Sequence, residues 1–376
     1  MKNLLVGNGI NIQFSGKEYT SREIVLRILK NCDRKDFPAD IIVDQPYLLK
    51  IYMRELFLMA KDISEGKHDK LAILSAEKAF LPEFKAKYDS NFFKTARITD
   101  ICFEDYFFVH DMVCRMTKTT NPEHSTVSEA LRIAYIYAIY NDGKINKLYQ
   151  LYPLSFISFL KEHEFLFTTN YDLNLESVVP AKVIHLHGQF DRYGDVYDIE
   201  SLRNKLPDAP AKTIAIDPGH AYLYCNAITT YNGNYKESII KQTDVAMAGI
   251  RKIARAYETD RKLQAEIDSW ITSDNIMVRN MGFAVKEMAA HPEYSFTNHY
   301  HWDEFEKMKG ELDILGLSPW NDFHIFTAID AANLDSCTYF YFSETEMNQV
   351  QSLLPILHGS NKLSFRDAKL FWAKMR

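Results

Sequence analysis

Short apolar runs separated by long helical stretches, rather than by tight hairpin turns, constrain this chain most. Leu4-Leu5-Val6 ends at Gly7-Asn8-Gly9, which reads as a buried strand running into a turn. Strand character returns at Phe165-Leu166-Phe167, at Val183-Ile184 with Leu186, and at Thr213-Ile214-Ala215-Ile216 before the turn Asp217-Pro218-Gly219. Leu312 to Leu315 and Thr338 to Phe342 follow, with helical stretches starting near Phe323 and near Glu344. Parallel strands need a crossover connection, usually a helix, so strands separated by helical stretches argue for a parallel sheet. The pattern predicts an α/β fold: a Rossmann-like parallel sheet with helices on both faces.

Between these strands the character changes. Thr20-Ser21-Arg22-Glu23 reads as a capping box opening a helix with Ile24 and Ile28 on one face. From about 45 to 163 the spacing is helical almost throughout. Thr126 with Glu129 reads as a second capping box; Leu131, Ala134, Tyr135, Ala138 and Ile139 then recur at helical spacing, and Gly143 ends the helix. The 376 residues are enough for two or three domains, or for one domain with a large insertion. The expected division is an α/β domain from 1–44 and 164–376, with a helical insertion over 45–163. A further helical block covers about 236–290, with Leu263, Ile267, Trp270 and Ile271 as its stripe. The segment 101–140 is rich in aromatics, and one helix face cannot hold Tyr135 with Ala138 and also Tyr137 with Tyr140. A self-association or partner surface is therefore expected on the insertion.

Composition excludes several classes. Forty-four basic against fifty acidic side chains leave a net charge of −6, so direct nucleic-acid binding is not indicated. No apolar run reaches the roughly 18–20 residues of a membrane span. The five cysteines stand singly, which excludes a four-cysteine zinc ribbon, makes no disulfide framework and suits a reducing, cytoplasmic setting.

Four strand ends carry polar or glycine clusters, where an open parallel sheet binds its ligands. Gly7-Asn8-Gly9-Ile10-Asn11 either brings backbone amides close to a diphosphate or is a tight turn. Thr168-Thr169-Asn170-Tyr171-Asp172 puts Thr168, Asn170 and Asp172 on one side if the strand continues; otherwise Asp172 caps a turn. His185 and His187 flank Leu186 and precede Gly188. With His220 and Asp322 they make a conceivable metal set, or one of them is structural. The fourth cluster is Gly316-Leu317-Ser318-Pro319-Trp320-Asn321-Asp322.

Taken in order, these clusters resemble the motifs of the sirtuin-like NAD-binding superfamily. That family shows G-A-G-x-S after its first strand, then T-Q-N-x-D, then H-G, then G-x-S after a late strand. The counterparts are Gly7 to Asn11, Thr168 to Asp172, His187-Gly188 and Gly316-Leu317-Ser318. The spelling is similar to the bacterial antiphage branch, which includes the NADase effector of the Thoeris system. Asn11 stands where the family has Ser, and both the deacetylase run G-I-P-D-F-R and the zinc-ribbon cysteines are missing. The stretch 45–163 has no counterpart. The resemblance thus implies NAD+ hydrolysis to nicotinamide and ADP-ribose, with no metal, in an abortive-infection effector. It implies catalytic roles for Asn170, His187 and Asp172, and NAD+ contacts from Gly7, Asn8, Gly9, Asn11, Thr169, Gly316, Ser318 and Asp322. A homo-oligomer, or a partner such as a ring-forming ATPase, is implied in the same way, since an unrestrained NADase would kill its host. The competing readings are a non-catalytic scaffold binding NAD or ADP-ribose and a His/Asp metal-dependent hydrolase.

Overall fold

A computed structural model of the chain describes residues 1–120, 123–179, 182–193, 196–197, 214–215, 217–231, 233–273, 275–290, 292 and 300–375. Its strands are β1 (Lys2–Val6), β2 (Phe165–Thr168), β3 (Lys182–His185), β4 (Val196–Tyr197), β5 (Ile214–Ala215), β6 (Gly310–Leu315), β7 (Leu334–Tyr341) and β8 (Leu363–Asp367). Six of them form one sheet in the order β3-β2-β1-β6-β7-β8, and every pairing in it is parallel. The chain builds outward from β1 to β3 on one side, then returns to the other side of β1 for β6 to β8. The α/β, Rossmann-like expectation holds.

Burial on both faces explains why β1 reads as a continuous apolar run. Leu5 packs with Phe167, Ile184 and Ile314 on one face. Leu4 and Val6 pack with Leu166, Leu315 and Phe340 on the other. Alternation along a pleated strand sends neighbours to opposite faces. The first face is covered by helices Phe323–Ala331 and Glu344–Leu353, and the second by Gly9–Ser15, Leu154–Lys161 and Ala368–Met375.

Several expectations change. The predicted strand 213–216 does not join the sheet: Ile214–Ala215 pairs antiparallel with Val196–Tyr197, and Thr213 and Ile216 lie outside the described residues. Strand β8 was not anticipated, because Leu-Ser-Phe-Arg-Asp carries only two apolar residues on a half-buried edge. Neither capping box forms. The Thr20 hydroxyl donates to the Lys17 carbonyl instead (2.8 Å), and the second helix already begins at Glu123, which puts Thr126 inside it.

Between β1 and β2 the described residues form helices and turns without a strand, as expected. Their core also takes in Tyr19, Ile24 and Ile28 from helix Ser21–Asn31, and Leu223 and Tyr231 from beyond β5. Helix Glu123–Tyr140 runs through this core, with every residue from Leu131 to Ile139 buried. That overturns the aromatic surface: Tyr135 and Tyr137 are both buried because neighbours surround the helix, and Tyr140 stacks on Tyr222. In the later block, Ile267 is buried with Val285 and Met288, and Leu263 and Trp270 pack beside them. No helix among the described residues is long and apolar enough to cross a membrane.

The sheet turns on one backbone contact. A Cβ on Gly9 would lie 2.6 Å from the Gly316 Cα, and Gly316 itself holds φ +72°. Gly9→Ala and Gly316→Ala are each expected to cost about 2 kcal/mol or more in urea denaturation. Gly249→Ala, at an open position in helix Gly233–Tyr257, is expected to be neutral or slightly stabilising.

Candidate functional site

The strand order reverses between β1 and β6, so the two turns leaving their carboxyl ends diverge there. A crevice at such a switch point is where doubly wound sheets take ligands. Here it is a cavity of about 710 Å³. Ten of the eleven predicted site residues line it: Asn8, Gly9, Asn11, Thr169, Asn170, Asp172, His187, Gly316, Ser318 and Asp322.

Gly7 is the exception, and its role differs from the expected one. Its N–H donates to the Leu315 carbonyl (3.0 Å), and the Gly9 N–H donates to the Gly316 carbonyl (2.8 Å). Both amides are spent within the protein instead of facing a diphosphate. A Cβ on Gly7 would stand 2.5 Å from the Gly316 oxygen, so the pair of glycines lets the two turns touch.

Asp172 is buried and takes three hydrogen bonds. The Asn174 side chain and backbone N–H reach Oδ1 (2.6 and 3.2 Å), and Asn11 Nδ2 reaches Oδ2 (2.7 Å). Burial raises its pKa, opposed by these bonds. An acceptor-only carboxylate fixes which end of the Asn11 amide faces it. Asn11 Oδ1, buried in the cavity wall, is left without a partner. Asp172 thus orients the Asn11 amide and leaves its oxygen as an unpaired acceptor.

Asn170 is half-buried. Its Nδ2 donates to the Gly7 carbonyl (3.3 Å) and its N–H to Thr168 Oγ1 (3.0 Å). The two histidines part company. His185 sits at the end of β3, bonded to the Asn170 carbonyl (2.8 Å) and to Glu176 (2.6 Å). His187 lies beyond the strand in the cavity wall, with Nε2 3.0 Å from His324 Nε2 and 4.0 Å from Asp322 Oδ1. Burial holds His187 down at about 4, against the pull of Asp322, and takes His324 well below the ordinary range. Both rings are neutral at pH 7.

Sequence reasoning missed the charged floor. Lys236, buried near the start of helix Gly233–Tyr257, binds Glu104 through both carboxylate oxygens (3.0 and 3.1 Å) and Asp322 Oδ1 (3.2 Å). Burial disfavours its charge, but Asp322 and Glu104 raise its pKa all the same. Burial would raise Asp322, yet Lys236 and His187 bring it to about 2. Glu104 goes up to about 7 through burial, with the Asp322 charge adding and Lys236 opposing. No local signal marks Glu104 or Lys236, whose partners are distant in sequence.

The metal set read from the sequence is not assembled. His185 is committed to Glu176, and His220 pairs with Asp217 in an exposed turn (3.1 Å). His187, Asp322 and His324 do bring three donor atoms within 4.8 Å of one another. The Lys236 ammonium against Asp322 already supplies a positive charge there and disfavours a second cation.

Acid should act on this site in two opposing ways. His187 is neutral when buried, so its contribution is lost as pH falls from about 6.5 towards 4; Glu104, whose folded value is raised, contributes more over the fall from about 7 to 4.5. Urea titrations at pH 7 and pH 5 are expected to show a shallower loss in His187→Asn and a steeper loss in Glu104→Gln than in the parent chain. Lys236→Met strands two buried carboxylates and is expected to cost about 3–5 kcal/mol.

No family model, curated protein or solved structure matches the chain.

Proposed function

We propose that this chain is an NAD+ glycohydrolase that releases nicotinamide and ADP-ribose. One observation carries the reading. Residues from four distant segments, each matching a motif of the sirtuin-like resemblance, converge on a single cavity at the switch point of a parallel sheet.

The residue chemistry supports it. Nicotinamide leaves as a neutral ring, its nitrogen taking the electron pair of the broken C1′–N bond, so no strong acid is required. The transition state is oxocarbenium-like. Asn170 Oδ1 holds the attacking water, and its oxygen forms the new bond to C1′. The water proton passes to His187 Nδ1, which requires His187 Nε2–H to be donated to His324. Asn11 Oδ1 accepts a ribose hydroxyl. Two buried carboxylates around one ammonium leave the floor anionic once Glu104 ionises, which favours positive charge developing above it. The biological setting follows the resemblance: an effector in the cytoplasm that depletes NAD+ during infection, as a homo-oligomer or with a defence partner such as a ring-forming ATPase.

Nicotinamide release by the purified chain is the test. Asn170→Ala and His187→Ala are each expected to lower it by roughly 10²-fold or more. His185→Ala is expected to lower stability first, through the lost Glu176 and Asn170 bonds. Activity that survives a chelator supports this reading. Chelator-sensitive hydrolysis of another substrate favours the metallohydrolase, and NAD+ binding without turnover favours the scaffold.

A further inference from the structure

A second concavity, of about 1020 Å³, lies beside the mouth of the first and shares Lys17 with it. It is formed by helix Ser21–Asn31, helix Pro46–Ser64 and the turn Ile98–Asp100. Four cations ring it, Lys17, Arg22, Arg54 and Arg97, against the single carboxylate of Glu23. All four are exposed, and Arg22 alone has an acidic partner, Asp100 at 3.6 Å; Lys17, Arg54 and Arg97 form no ion pair among the described residues. The floor is apolar, from Leu26, Leu29 and Phe57.

We propose that this groove binds a phosphate-bearing ligand with a planar apolar ring, of the nucleoside diphosphate class. Unpaired guanidinium groups suit phosphate oxygens, in one or two hydrogen bonds each, and an apolar floor between them suits a base. The volume is that of a small-molecule site. Neither part alone selects the ligand, since phosphate needs no apolar floor and a neutral ring needs no cations.

The groove is wired to the cavity. The segment that begins with Arg97, Ile98 and Thr99 in the groove ends with Cys102, Phe103 and Glu104 in the cavity wall. Along the way, Phe103 N–H donates to Ser21 Oγ (3.0 Å) at the start of the groove's first helix, and Tyr106 OH holds the Ile98 carbonyl (2.7 Å). A ligand that draws Arg97 inward pulls on the strand of chain that sets Glu104 against Lys236. Control of nicotinamide release by groove occupancy rests on the proposed function; binding in the groove does not.

The test is hydrogen exchange on the full chain, at low salt, with ADP and with pyrophosphate as probes. ADP is expected to protect peptides from 21–31, 46–64 and 97–99, at concentrations at least tenfold lower than pyrophosphate needs. Arg54→Glu with Arg97→Glu, both exposed and outside the catalytic cavity, is expected to weaken that protection at least tenfold. Protection confined to peptides at 7–11, 168–172 and 316–322, or unchanged by the double reversal, would overturn the proposal. So would equal protection by pyrophosphate, since the apolar floor would then contribute nothing. The readout needs no turnover, so a chain inactive on NAD+ that shows the expected protection defeats the functional reading alone.

Discussion

The structure depends on the backbone contact between the turns that leave β1 and β6. The Gly7 amide on the Leu315 carbonyl and the Gly9 amide on the Gly316 carbonyl carry the β1–β6 pairing past the strand ends and into the two turns. Side chains are excluded there by distance: a Cβ on either glycine falls within 2.6 Å of the opposing backbone. What is gained is a dense floor directly under the crevice where the strand order reverses. The helix that starts at Gly9 then carries Asn11 into the wall, where Asp172 turns it.

A buried charge network joins parts of the chain that sequence separates widely. Glu104 belongs to the helical layer between β1 and β2, Lys236 to the later helical block, and Asp322 to the turn after β6. An ammonium sealed between two carboxylates is a poor stabiliser relative to apolar packing, but removing one member leaves uncompensated charge. The arrangement therefore demands that the three segments close together or not at all. It ties the completeness of the cavity to the seating of the helical layer.

The sheet and much of the site were legible because their signals are local. Gly7-Asn8-Gly9, Thr168 to Asp172 and Gly316 to Asp322 stand directly after apolar runs, and position after a strand is what topology preserves. Roles were less legible than positions. The Gly7 amide, expected near a diphosphate, is consumed by β6; Asp172, expected in a catalytic role, has both of its oxygens serving asparagines. Glu104, Lys236 and His324 carry no local mark in the sequence, since a polar residue in a helical stretch gives no sign of a partner some hundred positions away. Helix Glu123–Tyr140 shows the limit of periodicity: its five patterned positions are buried, and so are Ile133, Ile136 and Tyr137 between them.

The NAD+ site proposed between the β1 and β6 turns, with the scissile bond among Asn170, His187 and Asn11, is open to a crystal structure of the His187→Ala chain with NAD+. The nicotinamide ribose is expected beside Asn170, a ribose hydroxyl on Asn11 Oδ1, and the pyridinium over the Glu104–Lys236–Asp322 cluster. An empty cavity at saturating NAD+, or NAD+ held elsewhere on the protein, would contradict it.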